Sequence, residues 1–263
     1  DRLKAFRDRV NAGENPACAK LTDNIDLEGE VWTPITRLIG YLDGDGYTIS
    51  NLTLKGGSYA NTGLIGELNG SIVNLSVKNA AITDVGNNNN VDNCCVSGTI
   101  TSTTSGTAYI GGLVGYMTGA IDTHTALSIN NCVSNVTLTC ARSNYIGGLL
   151  GTAQYYSDVT ITKCAQLGEI SGNGTGGGLI GYISTASPTL TLENSYVGSK
   201  VGSSTKYIIA YNFAAPSKVT CTDFYWNGSH YSSYGAPYLI KSGENLFTNG
   251  TTKSTTADLK SLT

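Results

Sequence analysis

Ile129-Asn130-Asn131-Cys132 is the phrase on which the fold turns: an apolar residue, a variable one, Asn, then a residue fit for a core. It returns as Ile49-Ser50-Asn51-Leu52, Ile72-Val73-Asn74-Leu75, Val91-Asp92-Asn93-Cys94, Ile161-Thr162-Lys163-Cys164, Leu192-Glu193-Asn194-Ser195 and, degraded, Cys221-Thr222-Asp223-Phe224. Self-similarity at a period of about 20 to 50 residues marks an array whose units stack on one another. In a straight strand Ile129 and Asn131 would share a face and Cys132 would point away. Since Ile129 and Cys132 both suit a core, the strand is expected to turn a corner at Asn131, a residue type that tolerates left-handed backbone angles. The column therefore reads as a stacked Asn ladder, with Lys163 and Asp223 as departures.

A second phrase precedes the first: Leu38-Ile39-Gly40-Tyr41, Leu64-Ile65-Gly66-Glu67, Leu113-Val114-Gly115-Tyr116, Leu149-Leu150-Gly151-Thr152, Leu179-Ile180-Gly181-Tyr182 and a worn Ile208-Ile209-Ala210-Tyr211. Glycine pairs introduce three of these at Gly111-Gly112, Gly147-Gly148 and Gly177-Gly178, where a coil needs bends or close backbone approach. Late units are about 30 residues long, enough for one coil of three short strands with loops. Parallel pairing at about 4.8 Å per rung predicts a stack roughly 29 Å tall, a β-solenoid. Between Asn74 and Asn93 the Leu-x-Gly phrase is missing where Val85-Gly86-Asn87-Asn88-Asn89-Asn90 sits, so that coil is either shortened or lacks residues.

The composition agrees. The chain has 263 residues, 40% of them hydrophobic, with 33 Gly and 5 Pro, which fits many short strands and tight turns. A net charge of -3, with 13% charged residues and no basic cluster, excludes the phosphate neutralisation that nucleic acids require. No apolar run reaches the roughly 18 residues of a membrane-spanning helix. Seven cysteines without a CxxC phrase signal neither a zinc cage nor a closed disulfide set. Cys94, Cys132 and Cys164 share one repeat position with Leu75 and Phe224 and read as buried free thiols, with a disulfide between neighbouring rungs as the alternative. Leu3, Phe6 and Val10 lie at helical spacing and end at Asn11-Ala12-Gly13, which predicts a short helix capping the first coil. Thr256 to Leu262 is expected to begin another short helix, so that the natural protein continues. The expected organisation is a cap and lead-in over 1–20, the solenoid over 21–230, and a C-terminal cap or tail over 231–263.

Gly111-Gly112-Leu113-Val114-Gly115-Tyr116 and Gly177-Gly178-Leu179-Ile180-Gly181-Tyr182, followed by Asn131-Cys132-Val133 or Asn194-Ser195-Tyr196-Val197, resemble the GLUG-motif repeat family of bacterial surface proteins. Leu21-Thr22-Asp23-Asn24-Ile25-Asp26-Leu27, Trp32-Thr33-Pro34-Ile35 and Leu42-Asp43-Gly44-Asp45-Gly46-Tyr47-Thr48-Ile49 look like the leader that precedes such repeats. The resemblance implies an all-β, right-handed parallel β-helix, exported by gut or host-associated bacteria and found in adhesin-like proteins and beside IgA-cleaving metallopeptidases. It brings no catalytic residue. No HExxH occurs, and His124 and His230 are the chain's two histidines.

Asp43-Gly44-Asp45-Gly46 reads first as a turn, with calcium as the cation that Asp43 and Asp45 would suit. A glycosidase needs carboxyls about 5 to 9.5 Å apart, whereas Asp92 and Glu193 fall three rungs apart in the column beside Asn. The aromatic candidates for a binding face are Tyr155, Tyr156, Tyr225, Trp226, Tyr231 and Tyr234, whose rings also suit sealing the last coil. The expectation is a monomeric, non-enzymatic, adhesin-like module of the bacterial cell surface. It binds a glycan or a host or surface protein, or acts as a rigid display stalk, without cofactor, nucleic acid or membrane insertion. A polysaccharide lyase or glycoside hydrolase on the same fold is the alternative.

Overall fold

Left-handed backbone angles recur where the Asn phrase predicts a corner. The computed structural model describes residues 2–52, 64–78, 82–85, 89–102, 109–118, 125–140, 145–154, 156–172, 175–183, 189–198, 206–211, 219–226, 238–240 and 252–253. Its φ values are 53° at Asn74, 51° at Asn93, 52° at Asn131, 53° at Lys163, 47° at Asn194 and 48° at Asp223. The column is held side chain to side chain: Asn131 Nδ2 donates to Asn93 Oδ1 at 3.1 Å, and Asn93 Nδ2 to Asn74 Oδ1 at 2.8 Å. Asn74 Nδ2 in turn donates to Asp43 Oδ1 at 3.1 Å.

Lys163 interrupts this ladder while keeping its backbone angle, so it bears the left-handed strain without the amide pairing. Lys163→Asn is therefore expected to stabilise the fold by about 1 kcal/mol and Asn131→Ala to destabilise it by about 1–3 kcal/mol. Chemical denaturation of both variants checks the opposite signs.

Two assignments within the repeat are corrected by the strand register. Asn51 also has a left-handed angle, φ 55°, but belongs to a different corner, where its Nδ2 donates to Asp26 Oδ1 at 2.8 Å. Ile49 pairs with Val77, whereas the residue that stacks on Ile72 is Leu42, followed at the corner by Gly44, whose N–H donates to the Val73 carbonyl. Similarly, Leu38 stacks on Leu68, and it is Ile35 that stacks on Ile65. The first coil thus carries the same words at other places in the coil, because Trp32-Thr33-Pro34-Ile35 supplies the strand entry that Leu-x-Gly supplies later.

Every strand pairing among the described residues is parallel and links one coil to the next, giving a mostly β, β-helix-like body with one short helix. Leu42, Ile72, Val91, Ile129, Ile161, Leu192 and Cys221 stack in register as one inward column, each at most 2% exposed. No single coil can bury such a side chain; neighbours above and below complete its shell. Between Asn74 and Asn93 three short strands are described. Ser76–Lys78, Ile82–Val85 and Asn89–Asp92 each pair with the coil that follows.

The helix Arg2–Asn11 buries Leu3, Phe6 and Val10 over the first coil, as their spacing predicts. Pairing already starts at Ala17–Lys20, which covers Gly40 to Asp43 and leaves the earlier part of the strand Ile35–Asp43 as an edge. Asn11 Oδ1 accepts from the Thr36 N–H at 2.8 Å and Asn15 Oδ1 from the Ile39 N–H at 3.1 Å. These amides satisfy donors that would otherwise invite pairing with another chain. The expected helix over Thr256 to Leu262 lies outside the described residues.

Candidate functional site

Close approach of two glycine rows shapes one lateral wall. A Cβ on Gly147 would stand 2.0 Å from the Leu150 carbonyl oxygen and 2.4 Å from the Gly181 nitrogen. One on Gly151 would stand 2.3 Å from the Gly115 carbonyl oxygen and 2.6 Å from the Ile110 nitrogen. Only hydrogen fits between these backbones, so the short strands Tyr109–Gly111 and Tyr145–Gly147 lie against Val114–Thr118, Leu150–Gln154 and Ile180–Ile183.

The tyrosines that flank the glycines are drawn together as a result. Tyr116 and Tyr109 have ring centroids 5.0 Å apart, Tyr109 and Tyr145 5.8 Å with planes 8° apart, and Tyr145 and Tyr182 4.4 Å. The four rings make a continuous strip over three successive coils, each half-buried. Gln154 ties its first two members: Nε2 donates to the Tyr109 hydroxyl at 3.2 Å, and the Tyr116 hydroxyl donates to Oε1 at 3.3 Å. In register between Tyr116 and Tyr182 lies the fully buried Thr152, whose Oγ1 donates to the Tyr182 carbonyl at 3.0 Å. The strip offers apolar ring surface and hydroxyl groups at fixed positions, with few torsions left to order on binding.

None of these rings was among the aromatic candidates taken from the sequence. The available signal was their place in the repeat: Tyr116 and Tyr182 end the Leu-x-Gly phrase, and Tyr109 and Tyr145 stand two residues before a glycine pair. Of the sequence candidates, Tyr155, Tyr231 and Tyr234 lie outside the described residues. Tyr156 has φ 52° and serves a corner, its carbonyl accepting from the Thr125 N–H. Trp226 stacks with Phe224 at 6.4 Å and packs against the core with its indole N–H buried, in register with Val197. Its neighbour Tyr225, half-buried, is in register with Tyr196. The structure brings Tyr225 and Trp226 together at the last described coils, away from the strip.

Asp43 and Asp45 occupy a turn. Asp43 Oδ1 accepts the Asp45 N–H at 2.8 Å, and Asp45 pairs with Lys20 at 3.0 Å. The Asp45 N–H, and after it the Asn74 amide, hold the Asp43 carboxyl below its ordinary range, an effect that stabilises the turn at neutral pH and fades as pH falls through that lowered value. Among the described residues no group of three His, Cys, Asp or Glu that could hold a metal ion occurs. Asp92 and Glu193 stand three rungs apart in one column, with Asn130 and Thr162 between them in a hydrogen-bonded line.

Cys94, Cys132 and Cys164 are buried free thiols, and each donates to the carbonyl two residues back, at 3.2, 3.1 and 3.1 Å. Ser195 does the same at 2.8 Å, so the thiol acts as a corner clasp that a hydroxyl can replace. The contact with Cys132, together with burial, pushes the Cys94 thiol up, and burial raises that of Cys221 to about 12. In a Cys140→Ser background, a thiol reagent is expected to modify the exposed Cys18 and Cys95 in the native protein. Cys94, Cys132, Cys164 and Cys221 are expected to react only on unfolding, because burial withholds access to the sulfur. Native-state labelling of all these thiols would contradict the packing.

No family model matches the chain. Over 92 residues, 31% of its length, the chain is 45% identical to Halomucin of Haloquadratum walsbyi, but that match spans 1% of the relative. The structure resembles the crystal structure of a "putative immunoglobulin A1 protease" from Bacteroides ovatus, with a TM-score of 0.72 over 99% of this chain and 84% of that one. At 19% sequence identity, that likeness establishes a shared fold.

Proposed function

We propose that the chain is a non-enzymatic, adhesin-like module of the bacterial cell surface, a right-handed parallel β-solenoid that holds a glycan-binding face on a rigid rod. The observation that carries this reading is the tyrosine strip Tyr116, Tyr109, Tyr145 and Tyr182 with its bridging Gln154. Neutral rings with polar rims suit a ligand rich in both C–H faces and hydroxyls. Likeness to Halomucin, a mucin by name, supports an extracellular surface setting, and the GLUG-like phrases support the adhesin class. The three-rung separation of Asp92 and Glu193 supports a binding rather than a hydrolytic role.

Glycan-array binding of the purified chain tests the proposal. Tyr182→Ala combined with Tyr116→Ala is expected to weaken the strongest hit by about 5- to 150-fold, at about 0.5–1.5 kcal/mol per ring contact. Binding that survives both substitutions with the fold intact would move the site elsewhere. An array without any hit would leave the chain a display stalk.

A further inference from the structure

We propose that the tyrosine strip is also a modification site, where oxidation joins Tyr145 and Tyr182 by a carbon–carbon bond between consecutive coils. This rests on ring geometry and not on the binding role.

Tyr145 and Tyr182 form the closest ring pair of the strip, with centroids 4.4 Å apart and planes inclined by 32°. They come from adjacent rungs: Tyr145 is in register with Thr175, and Thr152 with Tyr182. The small partner on each rung leaves both rings room to lean toward each other. Parallel pairing on both sides of the wall holds their backbones in place, so radicals formed on the two rings meet faster than they diffuse to another molecule. Tyr109, 5.8 Å from Tyr145 and 5.0 Å from Tyr116, extends the strip, so an electron lost from any ring can be made good from the next. All the rings are half-buried, open to an oxidant on one side and shielded from bulk quenching on the other.

The chemistry requires an external one-electron oxidant, here hydrogen peroxide acting through a haem peroxidase. Each phenol gives up one electron and its hydroxyl proton, leaving a phenoxyl radical with spin on the ring carbons beside the oxygen. Two such carbons pair to form the new bond. Their hydrogens then shift to the oxygens and both phenols are restored. Overall the protein loses two hydrogen atoms, and one peroxide becomes two waters. The product is a covalent staple across the coils, which constrains the unfolded chain as a disulfide would.

The test treats the whole chain with dilute peroxide and peroxidase, followed by peptide mapping, dityrosine fluorescence and thermal unfolding. The expected result is an intramolecular peptide pair lacking two hydrogens, mapped to Tyr145 and Tyr182, with several-fold greater fluorescence than Tyr182→Phe and a raised Tm. Phe keeps the ring and its packing but has no phenolic proton to lose, so loss of the product in that variant reports chemistry rather than folding. Tyr41→Phe, on the remote first coils, is expected to behave as the wild type. The proposal is overturned if no intramolecular product forms under conditions that couple free tyrosine. A product mapped to another pair, or an equal yield from Tyr182→Phe or from the denatured chain, also overturns it. Neither outcome depends on the glycan array, so the two proposals fail separately.

Discussion

Gly147→Ala is expected to destabilise the protein by about 3 kcal/mol or more, because the added methyl meets backbone that no rotamer change can move. Its Cβ would lie 2.0 Å from the Leu150 oxygen and 2.4 Å from the Gly181 nitrogen, so the bend and the next coil must both open. Gly29→Ala provides the contrast. With φ 77° and nothing within 4 Å of its Cβ, it bears only the left-handed strain of about 1–2 kcal/mol. Urea denaturation of both variants separates steric from torsional cost, and near-equal values would show that the glycine rows are not in contact. Opening the bend at Gly147 is also expected to part Tyr145 from Tyr182, so the variant should lose both binding and the oxidative staple.

Ile161→Ala is the second large effect, at about 2–5 kcal/mol. Ile161 is fully buried, with Ile129 stacked below and Leu192 above in the same column. Removing its side chain empties a space that those neighbours share and that a parallel backbone at fixed rung spacing cannot collapse to fill. Ile161→Val, which keeps the branched shape, is expected to cost about 0.5–1.5 kcal/mol. In a stack where each unit contacts only its neighbours, the loss falls on two interfaces at once, so a transition that becomes multiphasic in Ile161→Ala is part of the expectation. A cost below that of Ile161→Val would mean that the column does not form one continuous core.

The Asn ladder illustrates how far reading the chain can go. Ile129 and Cys132 both had to face inward, and no straight strand allows that, so a corner at Asn131 followed from alternation alone; the left-handed angles at Asn74, Asn93, Asn131, Lys163, Asn194 and Asp223 bear it out. The same phrase misled at Asn51. A left-handed Asn after an apolar residue satisfies any corner of a coil equally well, and only the pairing of Leu42 with Ile72 shows which corner each copy occupies. The tyrosine strip escaped the reading for a related reason. Local crowding of rings near the C-terminus is visible in the chain, whereas Tyr109 and Tyr182 stand 73 positions apart in it and join one strip through Tyr145.

What the amino acids determined by themselves was the winding: repeated inward residues, corner Asn and bend glycines specify a stack, since each pattern is local to one coil and recurs. What only the tertiary structure decided was lateral: which corner lies above which, and which side chains meet across coils. Those contacts depend on how closely backbones approach and on how far each coil is shifted against the next, quantities that emerge when glycine rows touch and that no single repeat encodes.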